Sequence, residues 1–147
     1  MQIRTILVPV DFSNHSDRAL RYALEIAQHF GARLHLFHAY SLPAGPATAY
    51  DYMIPADLSA GLREAAIQRL DELAKTLEQK GVEVTTEVSQ GVASQAICDA
   101  VEREKPDLLV MGTRGLSGLK HVLLGSVTER TLRRVRCPVL TLHADSA

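Results

Sequence analysis

Residues 112–126 read Gly112-Thr113-Arg114-Gly115-Leu116-Ser117-Gly118-Leu119-Lys120-His121-Val122-Leu123-Leu124-Gly125-Ser126. This stretch follows a short apolar run and precedes a helical pattern. Glycine lets main-chain N–H groups come close to an anion and tolerates positive φ. A helix starting at Gly125-Ser126 adds unpaired N–H donors and about half a positive charge. That combination reads as a phosphate seat, with the Ser126 hydroxyl as one more donor. Gly112 and Gly115 would hold the backbone close to phosphate or ribose. Arg114 lies inside the loop and either reaches a phosphate or stays a solvated surface residue. Lys120 and His121 read as solvated. Ser126-Val127-Thr128-Glu129 also fits a capping box, so two roles stay open for Ser126. The glycines themselves are either turn residues or ligand contacts.

Two common phosphate motifs are missing. No Lys follows Gly118 or Gly125 in the pattern GxxxxGK[ST], and the first turn, Val10-Asp11-Phe12-Ser13-Asn14, has no GxGxxG. A P-loop NTPase or a dinucleotide-binding enzyme is therefore not expected. His15, His29, His35, His38 and His143 show no HExxH spacing. His35 and His38 fall on opposite faces of one strand, so they do not form a joint metal site. No Ser/His/Asp or Cys/His catalytic arrangement is readable. Cys98 and Cys137 lack metal-type spacing and read as free buried thiols. Arg130, Arg133, Arg134 and Arg136 complement the end of the last helix.

The elements that must position these residues alternate along the chain. Ile3 to Val10 reads as a strand. Asn14 or Ser16 caps a helix with Ala19, Leu20, Ala23, Ile26, Ala27 and Phe30 on one face, closed by Gly31. Leu34 to Tyr40 is the second strand. Residues 41–56, with Pro43, Gly45, Pro46 and Pro55, form the longest loop. A helix follows from Asp57 to Lys80, with Leu62, Ala66, Leu70, Leu73 and Leu77 on one face and Gly81 at its end. Val82, Val84, Thr86 and Val88 alternate with polar residues, as in a half-exposed edge strand. Ala93, Ala96, Ile97, Ala100 and Val101 form the next helical face. Leu108 to Met111 is a short apolar strand. Ser126 to Arg134 is the last helix and Cys137 to His143 the last strand. Such βα alternation predicts a parallel sheet covered on both faces. Right-handed crossovers narrow it to a doubly wound open sheet, which binds ligands where the winding reverses.

A chain of 147 residues predicts one domain, 1–147, able to bury roughly 70% of its unfolded surface. Apolar residues make up 46% and charged residues 22%, which argues against global disorder. Sixteen basic residues oppose seventeen acidic ones, so no net charge draws the chain to nucleic acid or an anionic membrane. No stretch approaches the ~20 apolar residues of a membrane span. No signal peptide is readable at the start. A cytoplasmic protein is the expectation.

The spacing G-x2-G-x9-G-[S/T], present as Gly112, Gly115, Gly125 and Ser126, resembles the signature of the universal stress protein family. Ile6-Leu7-Val8-Pro9-Val10-Asp11-Phe12-Ser13 resembles that family's first strand and its Asp motif. Arg136-Cys137-Pro138-Val139-Leu140 resembles its last strand. The resemblance covers essentially the whole chain. It implies a Rossmann-like α/β fold of the adenine nucleotide alpha hydrolase type, with five parallel strands in the order 3-2-1-4-5. It further implies ATP, or the related AMP or ADP, as ligand, with Mg2+ or Mn2+ on the phosphates. Asp11 would face Gly112 across the switch point and contact the ribose or adenine side, although a helix-leading cap is its other reading. Pro9, Val10, the backbone near Ala39, and Met111 would line the adenine pocket. Gly112, Arg114 and Gly115 would approach ribose and phosphates, and Gly125, Ser126 and Val127 would hold the phosphates. A homodimer through Val139 to Leu142 and a further protein partner complete the implied picture of a stress-response switch. A slow ATP hydrolase or phosphoryl- or nucleotidyl-transfer enzyme, and a nucleotide-independent dimeric scaffold, are the alternatives. Against the scaffold stands the expectation that nothing else in the fold demands all the glycines.

Overall fold

The computed structural model describes residues 2–42, 56–115 and 124–143. Its elements are β1 Thr5–Pro9, α1 Asn14–Phe30, β2 Arg33–Tyr40, α2 Ala56–Glu78, β3 Val84–Gln90, α3 Ala93–Glu104, β4 Leu108–Gly112, α4 Ser126–Leu132 and β5 Val139–Leu142. The strands form one parallel sheet in the order β3-β2-β1-β4-β5. The anticipated edge strand β3 does lie at an edge.

Alternation in β1 explains the two-layer core. Ile6, Val8 and Val10 join α1 and α2 in one buried cluster, with Leu34, Leu36 and Val110. Leu7 points the other way, into a second cluster with Phe37, Leu109, Met111 and the Ile97, Ala100 and Val101 face of α3. Burying each such aliphatic side chain contributes about 1.5–3 kcal/mol.

Several local expectations change. Ser13, rather than Asn14 or Ser16, caps α1, and its side chain accepts from the Ser16 N–H at 3.2 Å. Asn14 and Ser16 are already helical. Leu24 takes a buried place on α1, whereas Phe30, next to the left-handed Gly31, is 43% exposed. The third strand begins at Val84 because the turn out of α2 runs to Gly81, whose N–H still bonds to the Glu78 carbonyl. The last strand starts only at Val139, after Pro138, which has no N–H to donate.

β1 and β4 are joined tightly at one end and parted at the other. At the N-terminal end the Asp107 carboxylate accepts the N–H groups of Arg4 and Thr5 at 2.8 and 2.9 Å. Those donors hold its carboxyl below the usual carboxylate range. The β1–β4 register covers Ile6↔Leu108 and Leu7↔Leu109 and goes no further. Val10 N–H bonds to Phe37 of β2, so by strand alternation the N–H that Pro9 lacks would have faced β4. Pro9 therefore stops the ladder and lets the sheet open at its switch point.

Candidate functional site

The opening leads into a cavity of about 460 Å3 at the carboxyl ends of β1, β2 and β4. That lies within the ordinary range for small-molecule pockets. Pro9, Val10, Asp11, Ala39, Met111, Gly112, Arg114, Gly115, Gly125, Ser126 and Val127 all line it. The structure thus brings every candidate residue to one place. Ser16, Phe37, Ala93, Ile97 and Thr128 line it as well.

The glycines are placed for a reason other than the expected one. None of Gly112, Gly115 and Gly125 is among the positive-φ residues. Each is instead pressed against protein. A Cβ on Gly112 would lie 2.8 Å from the His15 carbonyl carbon and Cβ. On Gly115 it would lie 2.6 Å from Asp11 Oδ2, and on Gly125 3.2 Å from the Thr113 carbonyl oxygen. The fold itself demands Gly112, whose added Cβ would meet backbone; at Gly115 the obstacle is a rotatable carboxylate, and at Gly125 a shift of a few tenths of an ångström suffices. Gly112 by itself therefore does not separate a nucleotide site from an empty scaffold.

Asp11 does serve as a local organiser. Its Oδ1 accepts from the Ser13 N–H at 3.0 Å and the Ser13 hydroxyl at 2.5 Å, and its Oδ2 sits beside Gly115. Gly115 is its close neighbour across the switch point, and Gly112 lines the same cavity. The turn between them needs Phe12 in the left-handed region, at φ 61°, a strained state for a non-glycine residue. Packing of its ring against His38 and under the Arg69 guanidinium at 3.8 Å holds it there.

Arg114 is half-buried in the cavity wall. Its Nε is buried and has no hydrogen-bond partner among the described residues. A buried unpaired guanidinium nitrogen is costly. Arg114 thus places a donor without a partner among the described residues in the cavity wall.

Ser126 is not the cap of α4. Gly125 holds that position, and the Glu129 carboxylate pairs with Arg133 at 2.8 Å. The capping-box alternative is not formed, and Ser126 lines the cavity. Thr128 does the anchoring instead. Its hydroxyl donates to the Gly112 carbonyl at 2.9 Å, fixing α4 to the end of β4. Thr113 completes the joint: its carbonyl accepts from Gly125 N–H and its N–H donates to Leu142 of β5.

The sequence profile of the universal stress protein family matches residues 2–143. The chain belongs to that family. A universal stress protein of Methanocaldococcus jannaschii, MJ0531, is 35% identical over 144 residues, covering 95% of this chain and 81% of the relative. The solved structure of the hypothetical protein MJ0577, from the same organism, superposes with a TM-score of 0.85 at 26% identity and covers all of both chains. A universal stress protein solved in complex with cAMP superposes with a TM-score of 0.70 at 27% identity, covering 99% of this chain and 100% of that one.

For a universal stress protein, this chain's cavity holds surprises of two kinds. Ala93 and Ile97 read from the sequence as one more helical core face, and only the start of α3 at the crevice turns them toward the cavity. Ser16 read only as a possible helix cap and Phe37 only as part of a strand. Other expectations fall outside the described residues: Lys120, His121 and most of the 41–56 and 112–125 loops. No helix among the described residues is long and apolar enough to cross a membrane. Cys98 and Cys137 are free, and burial pushes both thiols up. His35, Glu87 and Glu104 converge near the end of α3. Arg103 bonds to both carboxylates, at 2.5 and 3.1 Å, and supplies the positive charge there.

Proposed function

We propose that this universal stress protein is a single domain, 1–147, that binds an adenine nucleotide in the switch-point cavity, with ATP as the preferred ligand. Arg114 carries the reading: a guanidinium in a cavity wall whose buried Nε has no partner among the described residues calls for an anionic ligand. The solved relative that holds cAMP supports the adenine half. In this reading Pro9, Val10, Ala39 and Met111 form the apolar wall for the base. Asp11, already oriented by Ser13, accepts from the ribose. Arg114 and the main chain of Gly112, Gly115 and Gly125–Val127 hold the phosphates. Close backbone approach matters here more than the dipole of α4, a helix of seven residues. Mg2+ or Mn2+ would arrive on the phosphates, since the described lining offers one carboxylate, Asp11. The chain works in the cytoplasm as a regulatory switch whose loaded state a protein partner reads.

Calorimetry with ATP and with adenosine tests the site. Micromolar ATP binding, much tighter than adenosine binding, is the expected result. Absence of heat with ATP leaves the fold in place and turns the function into that of an interaction scaffold.

The same reading makes the protein a homodimer through β5. That strand ends the sheet and its residues are only half-buried, so its outer edge is open to pair with a second copy. Sedimentation at micromolar concentration should give twice the monomer mass, and Thr141→Pro, which removes an N–H on the outer side of the strand while Leu140 and Leu142 face β4, should reduce it. A wild-type monomer under those conditions rules the β5 dimer out.

A further inference from the structure

His15 stands directly against the phosphate end of the cavity without being one of its lining residues. Its main chain and Cβ touch Gly112, so tightly that no side chain fits between them. Its imidazole hydrogen-bonds the main chain of Leu142 on β5. Three charged or titratable groups from three segments face it: Asp11 from the β1–α1 turn, Arg114 from the segment after β4, and His143 after β5. His143 is itself fixed, with Nδ1 2.9 Å from Thr113 Oγ1. One carboxylate thus faces an arginine and two imidazoles around the Gly112–Arg114 corner.

We infer that His15 is a protonation-linked part of the anion site, taking up a proton when a polyphosphate nucleotide occupies the cavity. The inference rests on the nucleotide reading above and adds to it a ligand preference and a control by pH. In the free protein, burial first and then Arg114 and His143 hold the His15 imidazole below its ordinary value, while Asp11 and the Leu142 hydrogen bond act the other way. His15 is therefore neutral near pH 7. Phosphates on Arg114 cancel the repulsion from that guanidinium and add attraction of their own. The bound state then favours imidazolium. Linkage fixes the sign: a ligand that promotes proton uptake binds more tightly as pH falls. The gain grows through the histidine's bound-state titration and levels off below its free-state one. A nucleoside carries no such charge and gains nothing.

Ring-proton NMR of the wild-type protein reads this directly, with His15 assigned by the resonance missing in His15→Gln. The titration midpoint of His15 should move up by about one pH unit on saturation with ATP in metal-free buffer, and stay in place with adenosine. In calorimetry, the ratio of wild-type to His15→Gln affinity for ATP should rise by up to about tenfold from about pH 8 to pH 6. Protonation of the nucleotide itself is common to both proteins and cancels in that ratio. An unmoved midpoint under ATP saturation overturns the role of His15 and leaves the nucleotide site intact. Failure of ATP to saturate the protein at any pH removes the nucleotide site, and this inference with it.

Discussion

Arg114→Leu weakens ATP binding by about thirtyfold and leaves adenosine binding unchanged. The magnitude follows from the hydrogen bond to a charged group that is lost, about 2 kcal/mol in a water-poor site. The selectivity follows from placement, since Arg114 is assigned to the phosphates and the base wall lies at Pro9 and Ala39. Stability should respond in the opposite direction. In the ligand-free protein the Arg114 Nε is buried without a partner among the described residues, so a shorter apolar side chain removes a desolvation cost. The urea midpoint of the ligand-free variant should equal or exceed that of the wild type. Such an exchange of binding for stability is common where a site keeps an unmet donor. Arg114→Lys should fall between, because an ammonium lacks the planar fork. Equal losses for ATP and adenosine, with lower stability, would show Arg114 to be a structural residue.

Gly112→Ala destabilises the protein by about 2–3 kcal/mol before any ligand is added. The new methyl would meet the His15 backbone at 2.8 Å, and neither the end of β4 nor the first turn of α1 can yield easily. At Gly115 the obstacle is the Asp11 carboxylate, which can rotate away. That releases its bonds to Ser13 and loosens the α1 cap, for about 1 kcal/mol. Gly125→Ala asks only for a few tenths of an ångström from Thr113 and Arg114 and should cost least. Urea denaturation without nucleotide gives the ranking Gly112, then Gly115, then Gly125. Equal, near-neutral values would mean the three glycines serve a ligand and not the fold. The ranking also bears on Gly125→Arg as a block of the phosphate seat. Its Cβ alone strains the loop, so lost ATP binding in that variant counts only if its stability is checked alongside.

Periodicity carried much of the architecture. The strand–helix alternation, the edge character of Val84 to Val88 and the glycine that ends α1 were all legible, because each is set by spacing of two or 3.6 residues or by a single left-handed position. Caps were harder. Ser13, Asn14 and Ser16 are all capable of capping, and the choice fell to Ser13 because Asp11 fixes its hydroxyl and N–H. The same limit applied at Ser126, where the capping box was a local possibility until Thr128 tied α4 to Gly112.

The sequence by itself determined the fold class, the family and the residues that gather at the switch point. Handed crossovers narrowed the topology to a doubly wound sheet, and the family resemblance implied the strand order that puts the ends of β1 and β4 side by side. Tertiary structure alone decided why the site looks as it does. Each glycine's meaning depends on what lies within a few ångströms of a Cβ that is absent, and those neighbours, His15, Asp11 and Thr113, are distant or on other segments. The unpaired Arg114 nitrogen and the gathering of His15, His143 and Asp11 around it are likewise products of packing between chain segments, to which local spacing is blind.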